Sequence, residues 1–358
     1  MTAQTAAPLW QEQRPVSLLG MGVALPGEPL PTAELLERLR TRFQVDVRRQ
    51  AKVALDRLRI HTRHVCRDFA HRHEAPRPGD TNAQLAARAL RAALDESRVA
   101  PHELSYLIAH TTTPGALLPP NVAQVAELVA YAGPVAELRQ ACAGFANALA
   151  FAIGLLHAPD CGPVAIVGSE TGSVFFDPMR AVEDPGQLVN LLQMGDGAAA
   201  CVLGTPSRTA SAQVSHLFHG RLACGYPPAF TLRVGGSDLG PAPRLVEFEH
   251  DYASVPEGGA EIFREAFAAA ARAGINPTTV SYFIPHQVSG RIGAQLASHL
   301  GIEERLIFVN AQRFGNTGSA AVWLALAELR RNLRSGDSVC VLGAEATAQL
   351  FGGFLYVH

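Results

Sequence analysis

The segment RQACAGFANAL, residues 139–149, places a cysteine at the start of an apolar, helix-like run. At the first turn of a helix, a thiol lies at the positive end of the helix dipole and close to free backbone N–H groups, and both favour the thiolate. A thiolate attacks an acyl thioester and holds the acyl group as a covalent intermediate. A buried structural thiol would also fit on such a helix, so this segment alone leaves two interpretations of Cys142 open.

Two further residues could serve a second chemical step. His286 ends the strand-like stretch SYFIPH, and Asn316 lies in RFGNTGSAAVWLAL, directly before another alanine-rich apolar run. Neutral imidazole and carboxamide donors can stabilise an oxyanion without supplying a strong acid. Taken alone, His286 would more simply be a hydrogen-bonded histidine at the end of a strand. Asn316 at a matching junction favours a catalytic pair.

The chain contains an internal repeat. SYLIAH at 105–110 returns as SYFIPH at 281–286, VGSETG at 167–172 returns as LGAEAT at 342–347, and Cys142 is followed by Asn316, at separations of 176, 175 and 174 positions. Three correspondences in one order at almost constant separation indicate a duplicated α/β unit. Two opposed copies would bring Cys142, His286 and Asn316 to the same end of a shared core.

The elements that must position these residues follow one plan in each copy. An alanine-rich helix leads into a short apolar strand, which is followed by a loop and a helix. Next come a strand that ends at Cys142 in the first copy or Asn316 in the second, a buried helix and a further apolar strand. Apolar runs bounded by glycine and proline are typical of strands buried on both faces. We expect an α/β protein with a tail at 1–15, one half at 16–205 and a second half at 206–358.

Composition excludes several other classes of protein. The chain has 358 residues, 17% of them charged, and a formal net charge of -2. No apolar stretch approaches the roughly 20 residues that span a bilayer, and the N-terminus lacks the pattern of a secretory signal. We therefore expect a cytoplasmic protein that binds neither membrane nor nucleic acid.

The sequence also gives little support to metal or cofactor chemistry. The six cysteines are scattered without zinc-type spacing, and Lys52 is the only lysine, which disfavours a Schiff-base mechanism. No G-x-G-x-x-G, P-loop or G-x-S-x-G motif is present. We expect no metal and no cofactor.

Four motifs carry a family resemblance. ACAGF around Cys142, MGDGAAACVLG from Met194, IPHQVSGRI from Ile284 and RFGNTGSAA from Arg313 resemble the motifs of β-ketoacyl-acyl-carrier-protein synthase III, in that family's order. The resemblance implies a thiolase fold of five layers, α-β-α-β-α, and an obligate homodimer. It implies that Cys142 is loaded from an acyl-CoA or an acyl carrier protein. His286 and Asn316 would then serve condensation with a malonyl- or β-ketoacyl-thioester on a carrier protein.

The resemblance also points to substrate-binding positions. Phe145 and Met194 belong to the nucleophile and MGDG motifs, and Gln287 follows His286 and shapes its loop. Leu118 stands where the family inserts an apolar side chain into the partner's acyl pocket, and Arg291 stands where family members dock the acidic carrier. Ordinary loop packing and a solvated arginine are the alternatives for these last two.

One family feature is altered. A second oxyanion hole would use the N–H of Cys142 and an N–H from the loop after Gly343, where the family has consecutive glycines. This chain has Ala344, Glu345 and Ala346 there, so the identity of the donor stays open.

Two departures favour a specialised enzyme, such as one of secondary metabolism, over the housekeeping initiator. Housekeeping members present a tryptophan to the adenine of coenzyme A, and neither Trp10, in the expected tail, nor Trp323, within a helix, fits that role. Extra residues within 175–193 fall near the expected pocket entrance. The arginine-rich segment 38–77 reads mainly as a solvated helical face, which an acidic carrier could also use.

Three other functions are weighed against condensation. Relatives that transfer the acyl group to an oxygen or nitrogen acceptor generally alter the nucleophile or the asparagine, and non-catalytic partner subunits of a heterodimer usually lose the cysteine. A non-decarboxylating thiolase needs a second catalytic cysteine near the C-terminal loop, but Cys340 precedes that loop within a strand. Retention of both Cys142 and Asn316 favours condensation.

Overall fold

The computed structural model describes residues 9–206, 212–222, 228, 230–233, 247–250 and 255–358. The strands are β1 (Leu9–Glu12), β2 (Val16–Ala24), β3 (Leu30–Pro31), β4 (Thr62–Arg63), β5 (Tyr106–His110), β6 (Val135–Leu138), β7 (Val164–Glu170), β8 (Gly197–Gly204), β9 (Gln213–Arg221), β10 (Phe230–Arg233), β11 (Glu247–His250), β12 (Tyr282–Pro285), β13 (Ser338–Glu345) and β14 (Leu350–Val357). The α-helices are α1 (Thr32–Arg42), α2 (Arg48–Leu58), α3 (Asn82–Ser97), α4 (Asn121–Leu128), α5 (Gly144–Leu156), α6 (Pro185–Gln193), α7 (Val255–Arg272), α8 (Ile292–Leu300), α9 (Ala311–Phe314) and α10 (Ala321–Leu329).

The main sheet consists of two halves with the same strand order. The first half runs β6-β5-β7-β8-β2, and the second runs β12-β13-β14-β9. A parallel bridge between Phe283 and Ile307 lies on the outer side of β12, where β6 flanks β5 in the first half. The halves meet where β2 pairs with β9 through Val16–Val214 and Ser17–Gln213. The repeat seen in the sequence is therefore present as a repeated topology.

Helices and half-sheets alternate in five layers. Helices α5 and α10 share one apolar core with both half-sheets, so they form the middle layer. Helices α3 and α4 cover the outer face of the first half-sheet, and α7 and α8 cover that of the second. Helix α5 lacks a strong polar face because it is packed on both sides. The fold is thus the five-layered thiolase architecture that the motifs imply.

Glycines let an outer helix approach the sheet closely. A Cβ at Gly22 would lie 2.1 Å from the carbonyl oxygen of Ala89, and one at Gly20 would lie 2.6 Å from that of Ala93. Both carbonyls belong to α3, whose alanines face β2. These close contacts keep the layers at a spacing that larger residues would prevent.

The N-terminal segment differs from the expected tail. Leu9–Glu12 forms β1, which pairs antiparallel with Leu217–Gly220 of β9. Residues 9–12 therefore extend the second half-sheet, although they precede the first half in the sequence. Sequence reasoning missed this strand because it is short and lies only partly buried. The proposed boundary between the halves, at 205/206, lies just before residues 207–211, which are outside the described part.

A smaller apolar cluster lies beside the five layers. Leu35 and Leu39 of α1, Ala51 of α2, and Leu188 and Leu191 of α6 are buried together. Two chain segments that are distant in sequence, 30–69 and 176–194, build this cluster. Within the described residues, no helix is long and apolar enough to cross a membrane.

The arginine-rich segment is not uniformly a solvated face. Arg63 and Arg67 are fully buried. Arg63 donates to the carbonyl of Leu191 and the hydroxyl of Thr32, and Arg67 donates to the carbonyls of Ser173 and Phe176. Backbone and hydroxyl acceptors, together with the ion pair between Arg67 and Glu74, allow these guanidinium groups to be buried. They tie the 62–67 stretch to α6 and to the segment before it.

Candidate active site

Cys142 lies two residues ahead of α5, in a turn that leads into the helix. Phe145, in the first turn of α5, is fully buried and packs edge-on against Trp323 and Phe354. A Cβ at Gly343 would lie 2.5 Å from the Phe145 ring, so glycine there lets the helix start close to β13. Phe145 therefore seats the start of the helix in the core.

The pKa of Cys142 departs from the value that a helix start alone predicts. Burial, followed by the charges of Glu345 and Glu170, raises the pKa of the Cys142 thiol well above its ordinary value. This direction is opposite to the one that the start of a helix favours. The helix dipole is outweighed by desolvation and by the nearby charges of Glu345 and Glu170.

His286 follows directly on β12, and its backbone N–H donates to the carbonyl of Leu342 at 2.8 Å. The side chain is 1% exposed, and neither ring nitrogen has a hydrogen-bond partner among the described residues. Burial lowers the pKa of His286 to about 4, which keeps the imidazole neutral near pH 7. A buried polar group without a partner costs about 1–3 kcal/mol. Such an imidazole is suited to meet a ligand.

Asn316 lies in a loop held by backbone bonds on both sides. Its N–H donates to Gln193 at 2.8 Å, and its carbonyl accepts from the N–H of Gly195 at 3.0 Å. The side-chain Oδ1 accepts from the N–H of Gly318 at 3.0 Å. That bond fixes the orientation of the carboxamide and leaves its NH₂ as the group that can donate to a ligand.

Contacts between the loops bring the three residues to one end of the core. Cys142 is followed by Ala143, whose N–H donates to Glu345 Oε2 at 2.9 Å, at the end of β13. His286 lies beside that same strand, next to Leu342. Ser319, three residues after Asn316, donates from its Oγ to the carbonyl of Gln140 at 3.2 Å. The cysteine loop is thus linked on one side to β13, which pairs with the strand before His286, and on the other side to the asparagine loop.

The other predicted positions have varied surroundings. Met194 follows α6 and forms a bridge with Asn316, so the segment 175–193 does lead into the site. Gln287 is buried; its amide donates to Pro285 and Phe308, and its Oε1 accepts from the N–H of Asn310. Those contacts support a role in shaping the loop.

The loop after Gly343 is a tight reversal between two paired strands. Ala344 and Glu345 are the last residues of β13 and are buried, whereas Ala346 begins the turn that returns to β14. Gln349, which closes the turn, has a φ of 55°, in the left-handed region that glycine adopts most readily. Glu345 points at the cysteine loop and accepts from Ala143.

Arg291 and Leu118 lie at the surface. Arg291 is exposed at the start of α8, and its Nη1 lies 3.5 Å from the carbonyl of Asp56 in α2. Leu118 is 82% exposed, and its neighbour Leu117 is 56% exposed. Adjacent exposed leucines in one loop form a small apolar patch, and such patches are typical of surfaces that contact another molecule.

Glu170 is a site residue that sequence reasoning missed. It ends β7 and is buried, and its carboxylate accepts from Ser319 in the asparagine loop. The signal was present in the repeat of VGSE and LGAE, which places Glu170 in correspondence with Glu345. Among the described residues, no group of histidines, cysteines and acids could hold a metal ion.

Two protein-family models match parts of this chain. Residues 136–219 match the family model for 3-oxoacyl-[acyl-carrier-protein] synthase III, and residues 270–354 match the model for its C-terminal part. The β-ketoacyl-[acyl-carrier-protein] synthase III of Cereibacter sphaeroides is 30% identical over 271 residues, which cover 72% of this chain and 79% of that protein.

Solved structures show the same likeness along nearly the whole chain. AbyA1, described as a tetronic acid condensing enzyme, has a TM-score of 0.83 at 25% identity, covering 96% of this chain and all of that one. The 3-oxoacyl-[acyl-carrier-protein] synthase III of Aquifex aeolicus has a TM-score of 0.73 at 25% identity, with the same coverage.

The repeated topology and these similarities define a thiolase-superfamily condensing enzyme that transfers acyl groups. Within that class, the chain belongs to the β-ketoacyl-acyl-carrier-protein synthase III family. Its reaction type is decarboxylative condensation.

Proposed function

We propose that Cys142 carries the acyl group, and that His286 and Asn316 stabilise the enolate that attacks it. The observation that carries this proposal is His286, which is buried and neutral and has two unpartnered ring nitrogens within the described structure. Asn316 adds a fixed carboxamide with its NH₂ available. Intact-protein mass spectrometry with a panel of acyl-CoA and acyl-carrier thioesters would show which group loads Cys142 and from which carrier.

The first half-reaction loads the enzyme. The sulfur of Cys142 attacks the thioester carbonyl, and the C–S bond to the donor breaks as the new thioester forms. Because the pKa of Cys142 is raised, its proton must leave as the attack proceeds. The neutral imidazole of His286 can receive that proton and return it to the departing thiol of the donor.

The second half-reaction forms the carbon–carbon bond. A malonyl thioester loses CO₂, and the electron pair of that bond becomes an enolate whose oxygen accepts from His286 and Asn316. The enolate carbon then attacks the acyl thioester on Cys142, and the cysteine sulfur leaves. Neutral donors suit this step because a strong acid would protonate the carbanion.

A specialised member of the family fits this chain better than a housekeeping initiator. Trp323 is fully buried between Phe145 and Phe354, so it cannot stack on a coenzyme A adenine. The likeness to AbyA1 supports a role in making a specialised polyketide product. The segment 175–193, which contains the extra residues and ends beside Asn316, is where the pocket would be altered.

An acyl carrier protein is the proposed source of at least one substrate. Arg291 lies against α2, where Arg49, Lys52 and Arg57 are also exposed. The N–H of Gly290 donates to the carbonyl of Leu58 at 2.7 Å, which joins the Arg291 loop to the end of α2. These cations form one surface that would attract an acidic carrier.

Arg291→Glu is expected to raise the apparent KM for a carrier-bound substrate while leaving activity with small thioester mimics nearly unchanged. The effect should shrink as ionic strength rises, because a charge at the edge of an interface acts mainly on association. Steady-state kinetics at several salt concentrations measure this. Arg331→Glu, which changes an exposed arginine after α10, is the matched control. Equal impairment of carrier and mimic by Arg291→Glu would contradict the docking role.

We also propose that the enzyme is a homodimer in which Leu118 enters the partner's acyl pocket. Leu118→Ala should change the preference between acyl chain lengths by about tenfold, as expected for a change of a few methylenes in an apolar pocket. Stability should change little, since exposed substitutions usually stay within about 0.5 kcal/mol. Competition between acyl-CoAs of different length measures the preference, with Val53→Ala as an exposed control. A fully active monomer by light scattering would refute the shared pocket.

A further inference from the structure

Two buried glutamates end corresponding strands of the two halves. Glu170 is the last residue of β7 and Glu345 the last of β13, and they are 2% and 3% exposed. Neither has an ionic partner among the described residues; they accept only from backbone N–H groups and hydroxyls. Burial raises the pKa of both carboxyl groups. Burying a carboxylate without a cation is costly, so the contacts that it makes need an explanation.

Glu345, in the second half, holds the cysteine loop of the first half. Its Oε2 accepts from the N–H of Ala143 at 2.9 Å, and its Oε1 accepts from the hydroxyl of Thr347. Ala143 is the residue between Cys142 and the start of α5. A shift of this bond would therefore move the thiol relative to the helix.

Glu170, in the first half, holds the asparagine loop of the second half. Its Oε1 accepts from Ser319 Oγ at 2.6 Å and from the N–H of Thr112 at 3.1 Å, and its Oε2 accepts from the hydroxyls of Thr112 and Thr113. Ser319 lies three residues after Asn316. A Cβ at Gly318 would lie 2.7 Å from Glu170 Cγ, and Gly318 has a φ of 50°, so this loop fits over the glutamate only with glycine there.

We propose that Glu345 and Glu170 are a reciprocal pair of positioning residues, each of which holds the catalytic loop of the opposite half. The inference rests on the proposed roles of Cys142 and Asn316. It explains why both glutamates stand at corresponding strand ends and both reach across the interface between the halves. Their charges also act on the thiol, because after burial they are the largest influences that raise the pKa of Cys142.

Glu345→Gln and Glu345→Ala separate the hydrogen bond from the charge. Glutamine keeps an oxygen for the N–H of Ala143 but removes the charge, so the midpoint of Cys142 alkylation by iodoacetamide should move to lower pH. Acyl loading should stay within about tenfold of the parent. Alanine removes the oxygen as well, and loading should fall on the order of a hundredfold, as for a misplaced reacting group. Glu304→Gln, at an exposed acid, should change neither quantity.

The Glu170 variants should act on the other half-reaction. Glu170→Ala should lower malonyl decarboxylation on the order of a hundredfold while loading stays within about tenfold, and Glu170→Gln should restore most of the loss. If loading by Glu345→Ala matched the parent, or if Glu345→Gln left the alkylation midpoint unchanged, the pair would not have this role. Should Glu345→Ala fail to fold, the alkylation midpoint and loading of Glu345→Gln decide.

Failure of the proposed function would look different from failure of this inference. Alkylation of Cys142 needs no substrate, so the shift in Glu345→Gln can be measured even if the residue that accepts the acyl group is another one. A parent enzyme that loads acyl groups elsewhere refutes the function. An unchanged alkylation midpoint with normal loading on Cys142 refutes the reciprocal pair alone.

Discussion

Cys142→Ala is expected to abolish the acyl-enzyme and to lower condensation on the order of 10⁴-fold or more, as when an enzymatic nucleophile is removed. None of the other thiols in the described part of the chain lies just before a helix, as Cys142 does before α5. Cys66, Cys201 and Cys340 are buried, whereas Cys142 is partly exposed, so none of these three thiols is open to an acyl donor. Intact-protein mass spectrometry after incubation with acyl donors measures the adduct.

Cys161→Ala provides the matched control for this experiment. Cys161 is partly exposed, and its thiol donates to the neighbouring carbonyl of Gly162, away from the Cys142 loop. Its loss should leave loading unchanged. An acyl group that persists in Cys142→Ala and maps to Cys66, or to Cys224 outside the described residues, would show that the nucleophile is misassigned.

His286→Ala and Asn316→Ala are expected to lose condensation while still forming some acyl-enzyme. Both residues serve the enolate, which exists only in the second half-reaction, and removal of one oxyanion donor costs on the order of a hundred- to a thousandfold in rate. Single-turnover assays should measure acyl loading of the enzyme and the release of CO₂ separately. His286→Ala should also slow loading somewhat, because the imidazole can receive the thiol proton.

Two exposed residues supply controls of the same type. His102→Ala and Asn332→Ala change a surface histidine and a surface asparagine, and neither should affect either half-reaction. Equal loss of loading and condensation in Asn316→Ala would contradict the division of labour, because that residue has no part in acyl transfer to the cysteine.

The fold could be predicted from the sequence because the repeat carries topological information. Segments such as SYLIAH and SYFIPH recur at nearly constant separation, and the corresponding strands β5 and β12 occupy equivalent places in the two half-sheets. Strand β1 could not be predicted in this way. It has no counterpart in the repeat, and its pairing with β9 spans some two hundred residues of sequence.

The three candidate catalytic residues could be predicted from local motifs, but the pKa shifts of these residues could not. A cysteine before an apolar helix predicts a lowered pKa, but burial, followed by the charges of Glu345 and Glu170 from distant strands, raises the pKa of Cys142. The burial of Arg63 and Arg67 likewise depends on carbonyls of α6 and of the segment before it. Residue composition does not show which backbone carbonyls will accept hydrogen bonds from buried side chains.

The crossed contacts of Glu170 and Glu345 have a consequence for how such a protein could arise. Each half reaches into the other through the same strand end, which is the arrangement of a two-fold symmetric dimer, where residue i of one copy meets residue j of the other and the converse. A single half would leave its own loop unsupported and its glutamate unpartnered. We therefore expect that an ancestor with one half assembled as a pair before its gene was doubled, and that the two loops diverged afterwards into a nucleophile and an oxyanion donor.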